Sequence, residues 1–236
     1  MRREWVVYSA HRNERPWDGK REAPPPAAPA YDPTCYLCPG NPRVHGHKNP
    51  DYRDVFIFDN DHPVVGSASP EISGGSGGLY RRERADGVAR VICYDPRHNV
   101  TLTDVPHAKA VKVFAAWREQ TQVLAADPSI HSALFFENKG AIVGTSNPHP
   151  HCQLYATSFP FKHVEMEMEA VEEMKSAEGS DLFREILEAE QDKGVRIVAE
   201  KPGALAFIPF FARWPCRAPA NFWISGRPTV PSQRFA

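Results

Sequence analysis

The sequence predicts an α+β fold in which hairpin-linked antiparallel strands form a sheet and helices pack on it. Three observations carry this expectation. The apolar run 133–136 turns through a polar, glycine-containing loop and returns as residues 149–156, a hairpin. After Pro106, the residues Ala110, Val113, Phe114, Trp117, Thr121 and Leu124 recur at helical spacing and give that helix one buried face. Residues 195–211 read as a second hairpin, turned at Lys201-Pro202-Gly203 and preceded by a helix capped by Ser180 and stopped by Gly194.

Taken in order, Trp5-Val6-Val7-Tyr8 is a short strand, and a polar segment follows with Arg12 and Arg15 three apart, able to clamp one anion. Residues 23–30 form an extended Pro/Ala linker. It delivers Cys35-x-x-Cys38, where Pro39, Gly40 and Pro42 disfavour the helix that a redox pair wants, so a zinc knuckle is the better reading. Two thiolates need two more ligands, and His45, His47, His62, Cys93, His98, His107 and His149 all remain candidates on spacing. Residues 54–58 are a strand ending in the polar turn Asp59-Asn60-Asp61-His62, and 66–78 a Ser/Gly loop that fits neither a dinucleotide fingerprint nor a P-loop. Residues 88–94 are a strand closed by Asp95-Pro96-Arg97-His98. The acidic stretch 165–178 is a solvated helix, and the next helix buries Leu182, Phe183, Ile186 and Leu187. No regular element is expected after Trp214-Pro215.

A formal net charge of -1 over 236 residues argues against a nucleic-acid partner, and no apolar run is long enough to span a membrane. Five cysteines without an even disulfide framework fit a reducing, cytoplasmic setting. The chemistry concentrates in Asn147-Pro148-His149-Pro150-His151-Cys152-Gln153. In an extended backbone His149, His151 and Gln153 share one face at a spacing of about 6.5 Å. Pro148 and Pro150 place the start of this strand at a sheet edge or over a cleft, because each removes a ladder donor.

With Cys35-Tyr36-Leu37-Cys38-Pro39-Gly40-Asn41, Lys48-Asn49-Pro50-Asp51-Tyr52, Asp95-Pro96-Arg97-His98, Phe136-Glu137-Asn138-Lys139-Gly140 and the stretch from Ser146 to Gln153 in this order, the chain closely resembles the galactose-1-phosphate uridylyltransferases, a branch of the histidine-triad superfamily. The resemblance implies a histidine-triad-like half with an antiparallel sheet and packed helices over 1–172, and the opening of a second, similar half over 173–236. It implies transfer of UMP from UDP-glucose to galactose 1-phosphate through a uridylyl-histidine, in a ping-pong reaction. His151 is then the nucleophile and Gln153 the amide that meets the phosphoryl group. Arg12, Arg15, Val44, Asn60, Asp61, Asn138, Gly144, Thr145 and Ser146 are the further substrate contacts. Cys35, Cys38, His98 and His149 become the ligands of a structural zinc. A homodimer is implied for the full-length family form. The family's iron site is not expected, since no histidine follows His163. Family-like text ends at Trp214-Pro215, and the tail from Cys216 reads as a truncated or frame-shifted second half. A related transferase or phosphorylase acting on an ADP-sugar and a non-catalytic zinc-binding fragment are the competing readings.

Overall fold

The structure, a computed structural model, describes residues 27–67, 72, 79–80, 82–140, 143–145 and 147–212, and the backbone of 223–226. These form two compact units, one up to Phe161 and one from Lys162 onward.

The first unit is built on a four-stranded antiparallel sheet in the order β1 (Phe56–Asp59), β2 (Gly87–Cys93), β4 (His151–Thr157), β3 (Ser132–Phe136). Along β4 the side chains alternate as the pleat requires: Cys152, Leu154 and Ala156 are buried, while His151, Gln153 and Tyr155 are half-buried. The first set joins Ile92, Tyr94, Val113 and Leu124 in one core, under α1 (His107–Ala125). The second set lies on the other face. There Phe56, Cys93 and His151 are directly opposite one another across β1, β2 and β4, as are Phe58, Val91 and Gln153. A second core covers part of that face, with Cys35, Leu37, Cys38 and Tyr52 packed against Val91, Cys93, Phe56 and Phe58. The α+β class with an antiparallel sheet is as expected.

Several local expectations need correction. β4 is an interior strand, not an edge strand, and His149 stands before it instead of within it. Both prolines precede the ladder, so neither removes a donor from it, and the Pro150 carbonyl still accepts from Tyr94 N at 2.9 Å. The start of β4 is nevertheless open on one side, because β3 ends at Phe136, opposite Gln153, and leaves His151 paired with β2 alone. On α1 the buried stripe is narrower than the spacing suggests. Val113 and Leu124 are buried and Trp117 packs against the core, but Phe114 is 48% exposed and Thr121 is also exposed.

The second unit holds α2 (Lys162–Glu178), α3 (Leu182–Lys193) and a three-stranded antiparallel sheet β5 (Ile197–Lys201), β6 (Ala204–Phe207), β7 (Trp223–Gly226). The cap of α3 is Asp181, whose carboxylate accepts from Phe183 N and Arg184 N; Ser180 lies one residue too early. Leu182, Phe183, Ile186 and Leu187 are half-buried, and the fully buried position of α3 is Glu190, which accepts from Arg196 Nε at 2.7 Å and Phe210 N at 2.9 Å. Gly194 ends the helix in the left-handed conformation, as expected. β7 overturns the expectation of an irregular tail: Trp223–Gly226 pair with the free edge of β6, which satisfies backbone groups that sequence periodicity does not reveal. The strand expected at residues 5–8 and most of the Ser/Gly loop lie outside the described residues. No helix among the described residues is long and apolar enough to cross a membrane.

Candidate metal centre and nucleophile site

The segment around Cys35 and Cys38 is a run of tight turns, with Cys35 N donating to Asp32 O and Cys38 N to Cys35 O, each at 3.1 Å. Two buried asparagine amides hold these turns. Asn41 Nδ2 donates to the carbonyls of Asp32 and Cys35, and Asn49 Nδ2 to those of Tyr36 and Cys38. His98 is presented by the turn after β2. Fully buried Asp95 accepts there from Arg97 N, Arg97 Nε and Nη2, and Lys109 Nζ, while His98 N donates to Ala30 O at 2.8 Å. His149, 1% exposed, completes the group from the chain entering β4.

Cys35, Cys38, His98 and His149 thus offer two sulfurs and two ring nitrogens, all buried and within 4.8 Å of one another. Cys38 Sγ lies 3.7 Å from His98 Nδ1 and 3.6 Å from His149 Nδ1. Such distances suit donors sharing one tetrahedral ion. The protonation pattern also fits a metal. Tyr52 donates its hydroxyl proton to Leu37 O at 2.6 Å, so His149 Nε2, 2.8 Å from the same oxygen, must be the donor in that contact. His149 Nδ1 is therefore a bare lone pair directed at the cluster. Burial and the neighbouring His98 pull the His149 pKa down to about 4, and burial pushes the Cys38 thiol up to about 11, so neither of these two groups carries charge at neutral pH. A divalent cation would supply it and displace the thiol protons. The cluster can hold a metal ion.

His151 connects directly to this centre. Its Nδ1 lies 2.7 Å from His149 O, and a carbonyl can only accept, so Nδ1 carries the proton and Nε2 keeps its lone pair. Burial pushes the His151 pKa below the usual imidazole value, which keeps the ring neutral. The arrangement leaves a neutral imidazole with an available Nε2 lone pair, its ring held from behind by the residue that also faces the metal cluster. Gln153, two residues along on the same face, accepts from the Tyr155 hydroxyl through Oε1 at 3.0 Å, and its amide N–H groups have no hydrogen-bond acceptor among the described residues.

The other expected contacts fall into two groups. Val44, Asn60 and Asp61 come together beyond the end of β1: Arg43, next to Val44, ion-pairs with Asp61 at 3.3 Å, and Asn60 Oδ1 accepts from His62 N. Asn138, Gly144 and Thr145 lie in the loop between β3 and β4, where the Thr145 hydroxyl donates to Asn138 O at 2.6 Å. Arg12, Arg15 and Ser146 lie outside the described residues. The expectation that His149, His151 and Gln153 would form one row holds for the last two; His149 is turned into the cysteine knuckle instead.

Sequence reading assigned no role to Tyr52, Asn147 or Arg43. Asn147 accepts from His149 N at 2.9 Å and donates through Nδ2 to Cys35 Sγ at 3.4 Å, so it braces both sides of the cluster. Tyr52 and Asn147 do stand within the quoted family strings, but nothing local marks a contact formed 97 or 112 residues away.

Comparison with known proteins agrees with this architecture. The chain is 38% identical over 213 residues to the galactose-1-phosphate uridylyltransferase of Haemophilus influenzae, covering 90% of this chain and 60% of that protein. It is 38% identical over 216 residues to the galactose-1-phosphate uridylyltransferase of Rattus norvegicus, covering 90% and 56%. A solved structure of uridylyltransferase superposes with a TM-score of 0.68 at 31% identity, over 83% of this chain and 59% of that one. An ADP-glucose phosphorylase from Arabidopsis thaliana shares the fold, with a TM-score of 0.60 at 20% identity. The chain thus spans about 60% of the length of these relatives. Since the family profile for the galactose-1-phosphate uridyl transferase N-terminal domain matches residues 1–160, more than half of the sequence, the chain belongs to that family.

Proposed function

We propose that the chain carries the nucleotide-accepting half of a uridylyltransferase that moves UMP from UDP-glucose to galactose 1-phosphate. His151 Nε2 attacks the α-phosphorus, a P–N bond forms, and the phosphoanhydride P–O bond breaks to release glucose 1-phosphate. In the second half-reaction a phosphate oxygen of galactose 1-phosphate attacks the same phosphorus, forming UDP-galactose and returning the electron pair to Nε2. The observation that carries this reading is the His151 Nδ1–H bond to His149 O, which leaves Nε2 as a neutral nucleophile. Gln153 donates its amide to a non-bridging oxygen and, unlike a third histidine, offers no acidic proton to hasten loss of the nucleotide to water.

Asn60, Asp61, Val44 and Asn138 contact the nucleotide, while Ser146 and the backbone around Gly144 and Thr145 cradle its phosphates and Arg12 and Arg15 add positive charge, contributed across a homodimer in the full-length form. The division expected at residues 172/173 falls within α2, whereas the compact units part between Phe161 and Lys162, so the nucleotidyl-accepting chemistry is assigned to the unit up to Phe161. Zinc is the ion suited to two thiolates and two imidazoles; with all four positions filled by protein it would act as a structural pin for the strand bearing His151. Among the described residues four buried, unbridged cysteines support a reducing, cytoplasmic setting.

Incubating the zinc-loaded chain with UDP-glucose labelled in the α-phosphate tests the reading. Acid-labile label is expected on the protein, absent from His151→Ala, with zinc content equal in both. Label on the variant at the wild-type level would remove the nucleophile assignment. Label from ADP-glucose in place of UDP-glucose would shift the assignment to an ADP-sugar enzyme. The chain's coverage of about 60% of its relatives favours a second reading, a zinc-binding fragment without turnover, and folded, zinc-loaded protein that takes no label from either donor would establish it.

A further inference from the structure

Arg43 stands at the base of a short loop pinched by the Pro42–Lys48 bridge. Arg43 N donates to His47 O at 2.8 Å, and His45 within the loop is held at φ 58°, the one non-glycine residue with positive φ among the described residues. The Arg43 side chain does not extend into water. It is 11% exposed, its guanidinium carbon sits 3.8 Å from the centroid of the Phe58 ring, and Nε lies 3.3 Å from Asp61 Oδ2, in a carboxylate itself 14% exposed. Nε and Nη1 are both buried and neither makes a hydrogen bond among the described residues, so the approach to Asp61 is an ion pair only. A buried cation with an unused donor is costly, which makes the site a candidate for completion by a ligand acceptor.

Its place in the fold says which ligand. Phe58 stacks on Phe56 at 5.2 Å, Phe56 stacks on Tyr52 at 4.9 Å, and Tyr52 holds His149. Arg43 thus caps a row of stacked rings that ends at the metal cluster. Phe58, Val91 and Gln153 share one face across three neighbouring strands, so the backbones at Phe58 and Gln153 are about 10 Å apart, two strand spacings. That separation suits a nucleoside whose phosphate is at His151 and Gln153.

We propose that Arg43 is a positioning residue of the nucleotide site. Stacked on Phe58 and paired with Asp61, it sets the carboxylate that meets the ribose hydroxyls, and its Nη1–H donates to an acceptor oxygen of the same nucleoside. The inference rests on the reading of Asp61 as a nucleotide contact. Lysine at position 43 would keep the charge but lose both the flat stack and the forked donors.

Calorimetric titration of the zinc-loaded full chain with UMP, and separately with inorganic pyrophosphate, tests it on wild type, Arg43→Lys, Asp61→Asn, the double variant and Phe58→Leu. Arg43→Lys is expected to weaken UMP binding about 10- to 100-fold, the scale of one charge-assisted hydrogen bond. Zinc content and pyrophosphate binding should be unchanged, and the double variant no weaker than the weaker single one. Phe58→Leu, which leaves both charged groups in place, should weaken UMP in the same direction. Wild-type UMP affinity in Arg43→Lys, additive losses in the double variant, or equal loss of UMP and pyrophosphate would overturn the inference while leaving the nucleotide site standing. Absence of UMP binding to the wild-type chain would overturn the site reading and this inference with it.

Discussion

Substituting Tyr52 by Phe removes one oxygen from the molecule and should loosen the metal centre. The ring remains stacked on Phe56, so apolar burial is nearly unchanged. Two bonds disappear, one to Leu37 O at 2.6 Å and one from His149 Nε2 at 2.8 Å, and both partners belong to residues only 1% exposed. Each orphaned group costs about 1–3 kcal/mol, because both belong to buried residues. The larger consequence is chemical. Without the hydroxyl, nothing among the described contacts of His149 Nε2 holds the proton there, and the tautomer with the proton on Nδ1 would present it to the metal. Loss of such an outer partner lowers metal affinity about 10- to 100-fold, or ~1.4–2.7 kcal/mol. Competition of the folded variant against a chelator of known strength measures this directly, with far-ultraviolet circular dichroism reporting that the sheet is retained. A Tyr52→Phe chain that holds zinc within twofold of wild type would refute the argument that Tyr52 sets the His149 tautomer.

Two further outcomes follow from close contacts elsewhere in the first unit. Burial alone would raise the Asp95 pKa, but the bonds from Arg97 and Lys109 outweigh it and hold the carboxyl down at about 2. A folded-state pKa below the unfolded value stabilises above the unfolded pKa, so Asp95→Asn should cost about 2 kcal/mol at neutral pH. The difference from wild type should shrink as pH falls from about 4 to about 2, read as denaturation midpoints across that range. Gly87 opens β2 so close to β4 that an added Cβ would stand 2.0 Å from Ala156 O. Gly87→Ala should therefore push the two strands apart and destabilise by about 3 kcal/mol, measured by urea unfolding.

Much of the candidate site was legible in the sequence because it lies in short strings with strong local constraints. The prolines and glycine around Cys35 and Cys38 exclude a helix, and the structure has turns there. Alternation along residues 151–157 sets His151 and Gln153 on one face and Cys152 on the other, since a strand has a period of two. What local pattern missed came from neighbours distant in the chain. Pro148 and Pro150 suggested a strand starting at a sheet edge or over a cleft; β4 lies between β2 and β3, both prolines precede its ladder, and only its start at His151 is open on one side. Phe114 fitted the apolar stripe of α1, but the sheet beneath covers Val113 and Leu124 and leaves Phe114 exposed.

Residue identity and spacing alone determined the antiparallel α+β class, the metal-ligand residue types and the histidine set before a glutamine. Spacing left open which of the candidate histidines meets Cys35 and Cys38, a choice that the family resemblance made and the tertiary structure brings about, and only that structure decided where the protons of His149 and His151 reside and that Arg43 rests on Phe58 beside Asp61. The physical reason is common to all three. A hydrogen bond or a shared metal site depends on angstrom-scale distances between groups that the chain separates by tens of residues, and those distances exist only after the strands have paired and the cysteine turns have packed on the sheet.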